Sequence, residues 1–365
     1  MLRTLKSNCC VMLLALPLLA FPAAGVSQVT AGQGFAILPK FDGGVRIVTF
    51  PDSAGMAQIA AKLAALNLKW LILPAGDSIP PELWAAGAQA MAAALPGKIF
   101  WAAPAIAGDW PSGWRPDRAL DNVRGCFDRG ASVLFFSRVA GLELNNADGS
   151  FVMVDDSVFA PFFELAEENG IPAVVEAGER RNCWLPEESM DLEGDQIYFT
   201  RHPREHAYLR PGVPDYWRQI EARDHLVGLF PGLRIIGCHL GSLEWSVAEL
   251  AGRLERFPNL AVDLAGRIPH LQKQDQQEVR SFLSAHQERL IYASGFVLDF
   301  AEADPDSLLA ALEERYRSDF RYLTTAEILP ADYLTAGATA AGLALPEAVI
   351  GKIYFRNAVH WLQRY

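Results

Sequence analysis

The chain has 365 residues and a net charge of −11, and hydrophobic residues make up 51% and charged residues 21% of it. This composition is that of a globular protein, which excludes wholesale disorder, collagen-like repeats and an architecture of many membrane spans. The seven histidines begin only at His202. No histidine-based metal site or catalytic dyad can therefore draw on the residues before it.

Residues 1–25 have the pattern of a secretory signal peptide. Arg3 and Lys6 precede an apolar run at residues 11–21, and residues 23–25 are small, as at a cleavage site. The apolar run is shorter than the roughly 20 residues that span a membrane. The sequence therefore predicts a secreted or periplasmic protein, with an uncleaved signal anchor as the alternative.

Removal of this signal peptide takes away two basic residues and no acidic one, which lowers the net charge from −11 to −13. An acidic surface repels phosphate backbones, so we expect no nucleic-acid partner, and no membrane contact beyond the signal peptide. No CxxC pair supports a structural zinc site. At most one disulfide is allowed among the three remaining cysteines, Cys126, Cys183 and Cys238.

Eight short apolar runs predict the strands of a sheet. Their hydrophobicity is continuous rather than alternating, as expected for strands that are covered on both faces. They follow an irregular segment at residues 26–40 and belong to one domain, residues 41–365. The runs lie at residues 45–50, 70–73, 99–103, 132–136, 173–176, 234–239, 260–264 and 290–293.

Helical patterns separate many of these runs. Eight βα units over about 300 residues predict a (β/α)8 TIM barrel. A doubly wound open sheet is the alternative, but no GxGxxG or Walker-type loop supports a nucleotide site in it. The helical patterns cover residues 54–66, 159–168, 216–229 and 246–257.

A polar stretch with several prolines, residues 180–216, follows the fifth predicted strand. After a barrel strand it would cross the carboxyl-terminal face, where barrels build their active sites. Asn182, His202 and His206 are therefore candidates for a substrate pocket. The histidine spacing is not that of HExxH, and Pro203 disfavours a helix through the pair, so polar loop histidines are the alternative.

Short phrases in six stretches of the sequence follow one another in chain order. They are GLEL, DGS and VDD within residues 141–156, GIPAVVEAG at 170–178, FPGLRIIGCHLGSLEW at 230–245, RFPNLAVDLAGR at 256–267, QERLIYASGF at 287–296 and IYFRNA at 353–358. Together they resemble the fourth to eighth strand regions and the ending of the amidohydrolase-related family, of the amidohydrolase 2 type. The resemblance implies an α/β fold, a distorted (β/α)8 barrel, whose members are metal-dependent hydrolases and some decarboxylases.

The same resemblance implies a metal site of known layout. The family has a His-x-His pair on the first strand, a histidine on each of the fifth and sixth strands, and an aspartate on the eighth. Two residues that are two apart on a strand share a face, so the first pair points at one ion. The metal lowers the pKa of its bound water, and the aspartate takes the proton.

The matching positions of this chain keep one of these five groups. Gly44 and Arg46 stand at the first-strand histidine positions, Glu176 at the fifth-strand histidine and Gly295 at the aspartate, whereas His239 is retained. The family would use a divalent metal such as zinc. We predict no resident metal here, because four of the five ligand or base positions have changed.

Arg46 and Glu176 bring opposite charges to the altered site. We hypothesise that they form a buried ion pair that replaces the charge of the metal. Independent drift, with Arg46 reaching solvent and Glu176 bound to water, is the alternative. Glu244 and Asp263 are further pocket candidates; Glu244 is alternatively a solvated residue of a helix start, and Asp263 pairs with Arg267 or Arg46.

Cys238 precedes His239 on the sixth strand. Neighbours on a strand face opposite sides, so we expect His239 to face the barrel interior and Cys238 to face the helices as a core cysteine. Cys183 has no visible base beside it, which argues against a Cys–His enzyme. Asp155 and Asp156 are predicted to cap a helix.

Two functions stay open. The first is an exported, catalytically impaired or non-catalytic homologue, a pseudoenzyme, that binds a small organic ligand in the old pocket. The second is a divergent hydrolase or decarboxylase that acts on a small carboxylate or lactone-like substrate at the carboxyl-terminal face. Loss of the metal favours the first, because hydroxide is hard to form at neutral pH without one. A small molecule is the expected partner, and assembly into a homo-oligomer stays open.

Overall fold

The computed structural model describes residues 31–76, 79–106 and 114–362, which form a mixed α/β fold around one large parallel sheet. Its nine strands are β1 (Lys40–Thr49), β2 (Leu68–Pro74), β3 (Ile99–Pro104), β4 (Val133–Phe136), β5 (Ala173–Val175), β6 (Ile235–Gly237), β7 (Leu260–Asp263), β8 (Leu290–Ile291) and β9 (Val297–Asp299). Their order is β8-β7-β6-β5-β4-β3-β2-β1-β9. An antiparallel ribbon, β10 (Ile328–Pro330) and β11 (Thr339–Ala341), lies apart from the sheet.

The sheet curls until its last strands return to its first. Its two edge strands, β8 and β9, are the two ends of one stretch, residues 290–299. Backbone hydrogen bonds join this stretch to β1: Gly43 donates to the Tyr292 carbonyl at 2.9 Å and Arg46 to the Phe296 carbonyl at 2.8 Å. The first and last strand regions therefore meet in one junction.

Asp42 strengthens this junction from inside β1. Its carboxylate accepts hydrogen bonds from the backbone of Gly44 at 3.0 Å and of Ser294 at 2.9 Å, and from the Tyr316 hydroxyl at 2.7 Å. Burial raises the pKa of this carboxyl, although the hydrogen bonds oppose the change. One side chain thus fastens three separate parts of the chain.

Helices alternate with the strands. They are α1 (Ala31–Ile37), α2 (Ser53–Ala65), α3 (Pro81–Ala94), α4 (Pro116–Asp128), α5 (Val139–Leu142), α6 (Ala160–Glu168), α7 (Glu193–Arg201), α8 (Tyr216–Leu229), α9 (Cys238–Gly241), α10 (Val247–Arg256), α11 (Ile268–Lys273), α12 (Gln276–Ala285), α13 (Pro305–Thr324), α14 (Glu347–Gly351) and α15 (Asn357–Leu362). Single 3-10 turns cover Ser157–Phe159, Arg181–Trp184, Glu187–Ser189, Pro203–Glu205 and Ala207–Leu209, and Lys352–Arg356 is a π-helical turn. None of the helices in these described ranges has the length and apolar character that crossing a bilayer requires.

Side-chain caps fix where several helices begin. Asp52 accepts from the Gly55 amide at 2.8 Å at the start of α2, and Asp215 accepts from the Arg218 amide at 3.0 Å at the start of α8. Each such bond satisfies a backbone N–H that the first helical turn leaves without a partner. Asp156 caps the turn Ser157–Phe159 in the same way, which confirms its predicted role.

The eight predicted strand runs all form strands of the sheet, and the helix predicted at residues 216–229 has those limits. Two differences concern the start and the end of the sheet. β1 begins at Lys40, and α1 lies within the segment predicted to be irregular. The short β9 was not predicted, because its position depends on pairing with the distant β1. The predicted signal peptide lies outside the described residues.

The core has an inner and an outer part, as strand alternation requires. On β4, Val133 and Phe135 belong to the inner cluster, whereas Leu134 and Phe136 belong to the outer cluster that packs on the helices. Ala358, Trp361 and Leu362 of α15 complete the inner cluster. The inner side chains from the strands are Phe41, Leu71, Leu73, Ala102, Val133, Phe135, Val174, Ile236, Cys238, Ala261 and Ile291.

The predicted polar excursion after β5 is present. We call residues 176–215, between β5 and α8, the long connection. It contains four 3-10 turns and α7, and it has a small core of its own formed by Cys183, Met190, Phe199 and Ala207. This core lets the connection keep a defined shape beyond the carboxyl ends of the strands.

Candidate functional site

Three side chains from the carboxyl ends of different strands meet in one cluster. Arg46 comes from β1, Glu176 directly follows β5, and His239 lies two residues after β6. The Nη2 atom of Arg46 is 3.2 Å from Oε2 of Glu176, and Nε2 of His239 is 3.0 Å from Oε1 of the same carboxylate. The hypothesised ion pair is therefore formed, and the retained histidine shares it.

Arg46 is held from three sides. Besides Glu176, its Nη1 atom donates to the Pro74 carbonyl at 3.3 Å, and its guanidinium lies 5.0 Å from the centre of the Phe135 ring. The residue is 9% exposed, so it does not reach out into solvent. A delocalised guanidinium suits such a place, because it is weakly hydrated and stacks on aromatic faces.

His239 has an unusual backbone that aims its ring at Glu176. Its φ is +60°, in the left-handed region, and its amide donates to the Asp263 carboxylate at 2.7 Å. The ring lies between two acceptors, with Nδ1 2.8 Å from the Ala265 carbonyl and Nε2 3.0 Å from Glu176. Each ring nitrogen therefore faces an oxygen that can accept a hydrogen bond, and these two contacts fix the orientation of the ring.

The Glu176 carboxylate is strongly favoured in its ionised form. Burial alone would raise its pKa, but Arg46, His239 and Arg138 outweigh burial and hold the pKa of this carboxyl well below its usual range. Glu176 is therefore an anion at neutral pH. The cluster therefore places this anion between the Arg46 guanidinium and the His239 ring.

A second ionic network lies beside the first and was not predicted. Glu179 of the long connection accepts from three arginines: Arg138 after β4, Arg180, and Arg267 after β7. Arg138 also donates to Glu205 at 2.7 Å. Burial raises the pKa of the Glu179 carboxyl, but the arginines outweigh this and hold it well below its usual range.

Asp195 of α7 is a second hub of this network. The residue is fully buried, and its carboxylate accepts from Arg180 at 2.8 Å, Asn182 at 2.8 Å and the Tyr333 hydroxyl at 2.7 Å. It also lies 3.2 Å from Nε2 of His270. Burial raises its pKa, but His270 and Arg180 outweigh burial, so the pKa lies well below its usual range. This hub fastens the long connection to α11.

The remaining pocket candidates lie elsewhere than the three-residue cluster. His202 is exposed, and its ring stacks on Tyr198 with 4.4 Å between centroids. His206 is buried in the core of the long connection, where Nε2 lies 2.9 Å from the Leu185 carbonyl. Asn182 donates to Asp191 and Asp195, and it lines a small cavity that is separate from the three-residue cluster.

The predicted pairing of Asp263 with an arginine is wrong, and so is the solvated alternative for Glu244. Asp263 accepts from the backbone amides of His239 and Ala265, because it lies at a strand end where two connections turn, and Arg267 pairs with Glu179 instead. Glu244 is 1% exposed rather than solvated, because the long connection covers it.

The predicted orientation of Cys238 is also wrong. Cys238 belongs to the inner cluster, on the same side as Arg46 and Glu176. β6 ends at Gly237, and the left-handed backbone of His239 and Leu240 ends the alternation on which the prediction relied. Burial raises the pKa of the Cys238 thiol well above its usual value, so it is an inert core group. All three cysteines of the described residues, Cys126, Cys183 and Cys238, are buried and free.

The residues at the family's metal positions do not fit a divalent ion. Arg46 is a cation, and Glu176 and His239 bind each other. The Cβ atom of any side chain placed at position 44 would lie only 3.3 Å from Cβ of Ala293. Throughout residues 31–76, 79–106 and 114–362, no group of three His, Cys, Asp or Glu side chains converges in a way that could hold a metal ion.

Comparison with known proteins identifies the family. The family model described as Amidohydrolase matches residues 133–364, from the start of β4 to two residues past the end of α15. The chain belongs to the amidohydrolase family. The matched region includes Glu176, His239 and Gly295, whereas Arg46 lies before it.

Several solved structures resemble this chain at low sequence identity. An amidohydrolase of Mycobacterium avium subsp. paratuberculosis K-10 is 15% identical with a TM-score of 0.45, covering 84% of this chain and 73% of the other. Amidohydrolase 2 of Bifidobacterium longum subsp. infantis is 12% identical with a TM-score of 0.38, covering 78% and 95%. A uronate isomerase of Bacillus halodurans C-125 is 13% identical with a TM-score of 0.43, covering 86% and 70%.

A local match of another kind is also present. Over 101 residues the amidohydrolase chain is 30% identical to ribosomal RNA large subunit methyltransferase H of Nitrosococcus oceani. The match covers 25% of this chain and 60% of that protein. The chain thus spans about three-fifths of the length of this curated relative.

Proposed function

We propose that this chain is an exported, metal-free member of the amidohydrolase family that binds a small organic ligand and does not catalyse metal-dependent hydrolysis. The proposed site is the cluster of Arg46, Glu176 and His239, at the carboxyl end of a distorted (β/α)8 barrel in which residues 290–299 are the eighth strand. The observation that carries the proposal is the contact between Arg46 and Glu176. Arg46 supplies a positive charge from within the chain, and this charge balances the Glu176 carboxylate in place of a metal ion.

The cluster favours a ligand with carboxylate or carbonyl oxygens. Arg46 makes long contacts of 3.2 and 3.3 Å with Glu176 and Pro74, whereas strong charge-assisted bonds are about 2.7–2.9 Å. Its remaining N–H groups are suited to planar anions. Arg138, whose side chain is 30% exposed, adds a second cation near Glu176.

One observation favours the second candidate, a divergent hydrolase or decarboxylase. A histidine ring in hydrogen-bond contact with a carboxylate, as His239 is with Glu176, is a common general acid–base arrangement. Such an enzyme would use His239 as the proton donor and Glu176 to hold its ring. It would act on a small organic substrate without a metal.

Metal analysis and turnover distinguish these functions. The full chain, purified without chelators, is analysed by mass spectrometry for zinc, manganese and iron, and is screened with carboxylate esters and lactones. We expect only trace metal, less than about a tenth of an ion per chain, and no turnover of the esters or lactones. Stoichiometric zinc or manganese would overturn the proposal. Turnover that Glu176→Gln abolishes would establish the metal-free enzyme instead.

Ligand binding is tested by thermal shift with a panel of small carboxylates. A ligand of this site should raise the Tm of the wild type and of Arg118→Met, an exposed control whose side chain is 67% accessible, but not of Arg46→Met. The same shift in Arg46→Met would place the ligand elsewhere. No shift with any compound would contradict ligand binding.

The export part of the proposal has its own test. N-terminal sequencing of the mature protein, after fractionation of the producing cells, should give a start near residue 26 in the periplasm or medium. An intact Met1 in the cytoplasmic fraction would overturn it. Size-exclusion chromatography with light scattering of the same sample decides between a monomer and a homo-oligomer.

A further inference from the structure

A small cavity lies where the long connection meets the connections that follow β6 and β7. Asn182, Asp191 and Leu192 of the long connection form one wall. Glu244 and Trp245, before α10, form a second wall, and His270, Lys273 and Gln274 form the third. None of the three residues of the proposed ligand site lines it, so it is a separate feature.

Two buried side chains in the cavity wall each have a polar atom without a hydrogen-bond partner in the part of the chain that the structure describes. They are Oε2 of Glu244, which is 1% exposed, and Nδ1 of His270, which is 4% exposed. The other end of each group is engaged: Glu244 Oε1 accepts from the Arg181 amide at 2.8 Å, and His270 Nε2 lies 3.2 Å from Asp195. Buried polar atoms of this kind are rarely left without a partner in proteins.

The protonation states define what the missing partner must offer. Asp195 is ionised and only accepts, so Nε2 of His270 carries the hydrogen. Burial lowers the pKa of His270, which keeps the ring neutral and leaves Nδ1 as an acceptor. Burial raises the pKa of Glu244 to about 7, so its carboxyl is found in both forms near neutral pH. The partner must therefore donate a hydrogen bond to His270. It must also be able to donate a hydrogen bond to the ionised Glu244 carboxylate and to accept one from the protonated carboxyl.

The cavity has room for a partner of about the size of water. Its volume is 20 Å³, and about 10–15 Å³ is enough for one water. Water has two donors and two acceptors, so it can satisfy either form of a carboxyl. An ammonium ion has a similar size but no acceptor, and it would be repelled by the cation of Lys273 in the cavity wall.

We propose that this cavity is a binding site for one ordered water molecule, which donates to Nδ1 of His270 and hydrogen-bonds Oε2 of Glu244. The water joins the connection after β6 to α11. Each of these is already bound to the long connection, through Arg181 and Asp195. The hydrated cavity therefore closes a ring of contacts that fastens the long connection beside the carboxyl ends of the strands.

A high-resolution crystal structure of the full chain, grown without ammonium salts, tests the proposal directly. We expect a density peak within hydrogen-bond distance of both Glu244 Oε2 and His270 Nδ1. An empty cavity, or direct contact between the two side chains, would overturn the proposal. A peak that appears only in crystals soaked with ammonium would also overturn it, because the site would then bind a cation.

A double-mutant cycle tests the bridge in solution. Glu244→Leu and His270→Leu are made separately and together, and unfolding by urea is measured at pH 6. A bridging water predicts that the two effects are coupled by at least about fivefold in the unfolding equilibrium constant. Additive effects would contradict the bridge. As a control, Glu244→Leu is combined with Arg118→Met, which changes an exposed side chain with a different partner. The effects of these two substitutions on the unfolding equilibrium are expected to be additive.

Discussion

Nε2 of His239 lies 3.0 Å from Oε1 of Glu176, so the one histidine kept from the family's ligand set is bound to a residue that replaces another ligand. The same carboxylate also contacts Arg46. Neither His239 nor Glu176 is therefore available to a metal without breaking the contact to the other. The altered positions are thus partners of one another in the folded protein.

We expect Arg46→Met to destabilise the protein, because it removes the arginine that pairs with the buried Glu176 carboxylate. Removing one member of a buried ion pair costs about 3 kcal/mol in the free energy of unfolding. The double variant Arg46→Met with Glu176→Gln should recover most of this loss, since no uncompensated charge remains. Urea denaturation measures both effects.

The exposed arginine Arg118, 3.8 Å from Glu82, is the matched control for this cycle. Arg118→Met should change the unfolding free energy by less than about 0.5 kcal/mol, because exposed ion pairs contribute little. If Arg46→Met is no more harmful than Arg118→Met, the pair with Glu176 does not hold the site together.

Glu244 should make stability depend on pH in an unusual direction. Burial raises its pKa from 4.5 to about 7, so the folded state binds a proton that the unfolded state has lost between these values. The stabilisation that this bound proton gives the folded state is present in full below pH 4.5 and is lost as the pH rises through 7. Its total is on the order of 3 kcal/mol.

Glu244→Gln tests this dependence, because the amide cannot ionise. Relative to the wild type, the variant should gain stability steadily as the pH rises from 4.5 to 8. The exposed Glu302→Gln serves as the control and should keep the wild-type profile. Parallel profiles for wild type and Glu244→Gln would mean that Glu244 titrates as a solvated carboxyl. Asp195, whose pKa is lowered, acts with the opposite sign and loses its contribution as the pH falls.

Restoring a side chain at position 295 should be harmful rather than restorative. Gly295 has φ of +63°, and a Cβ there would lie 3.2 Å from Cβ of Ala265 and 3.3 Å from the Gly266 nitrogen. We expect Gly295→Ala to lower the free energy of unfolding by about 2–3 kcal/mol, because the left-handed backbone and the close contacts act together. Gly295→Asp should be at least as harmful.

Gly266 offers a matched control, since its φ is also +63° but no described atom lies within 4 Å of the position that an alanine methyl group would take there. Gly266→Ala should therefore cost about 1–2 kcal/mol, the backbone component alone. Equal losses for the two variants, measured by thermal and urea denaturation, would show that the contacts at Gly295 relax freely.

The thiols of the folded protein should be unreactive. Burial raises the pKa of Cys183 to about 12, and it also raises the pKa of Cys126 and Cys238. Iodoacetamide at pH 8 should leave the peptides that contain these three cysteines unmodified, and should modify them fully in urea. Rapid labelling of Cys183 in the folded protein would reopen the question of a cysteine nucleophile.

The strands of this fold were predictable because parallel strands are buried on both faces and appear as short, continuous apolar runs. The runs at residues 260–264 and 173–176 needed no knowledge of the rest of the chain. β9 differs, because Val297 is exposed and its three residues become a strand through pairing with β1. Such a strand depends on tertiary contacts that a local pattern does not contain.

The three-residue cluster was predictable in part, and the ionic network around Glu179 was not. Arg46, Glu176 and His239 could be brought together because family positions placed them at strand ends. Glu179 and its arginines carried no such marker, and charged residues in connections usually face solvent. Their position after β4, β5 and β7 was the available signal, since the carboxyl ends of these strands share one face.

The junction between β1 and residues 290–299 has a consequence for how the chain is made. Asp42 and Ser294 are 252 residues apart in sequence. At about 5–20 residues per second, the ribosome needs on the order of 10 to 50 s to deliver the second after the first. Throughout that interval the strand that carries Arg46 has an open edge, so the site cannot be complete until synthesis is nearly finished.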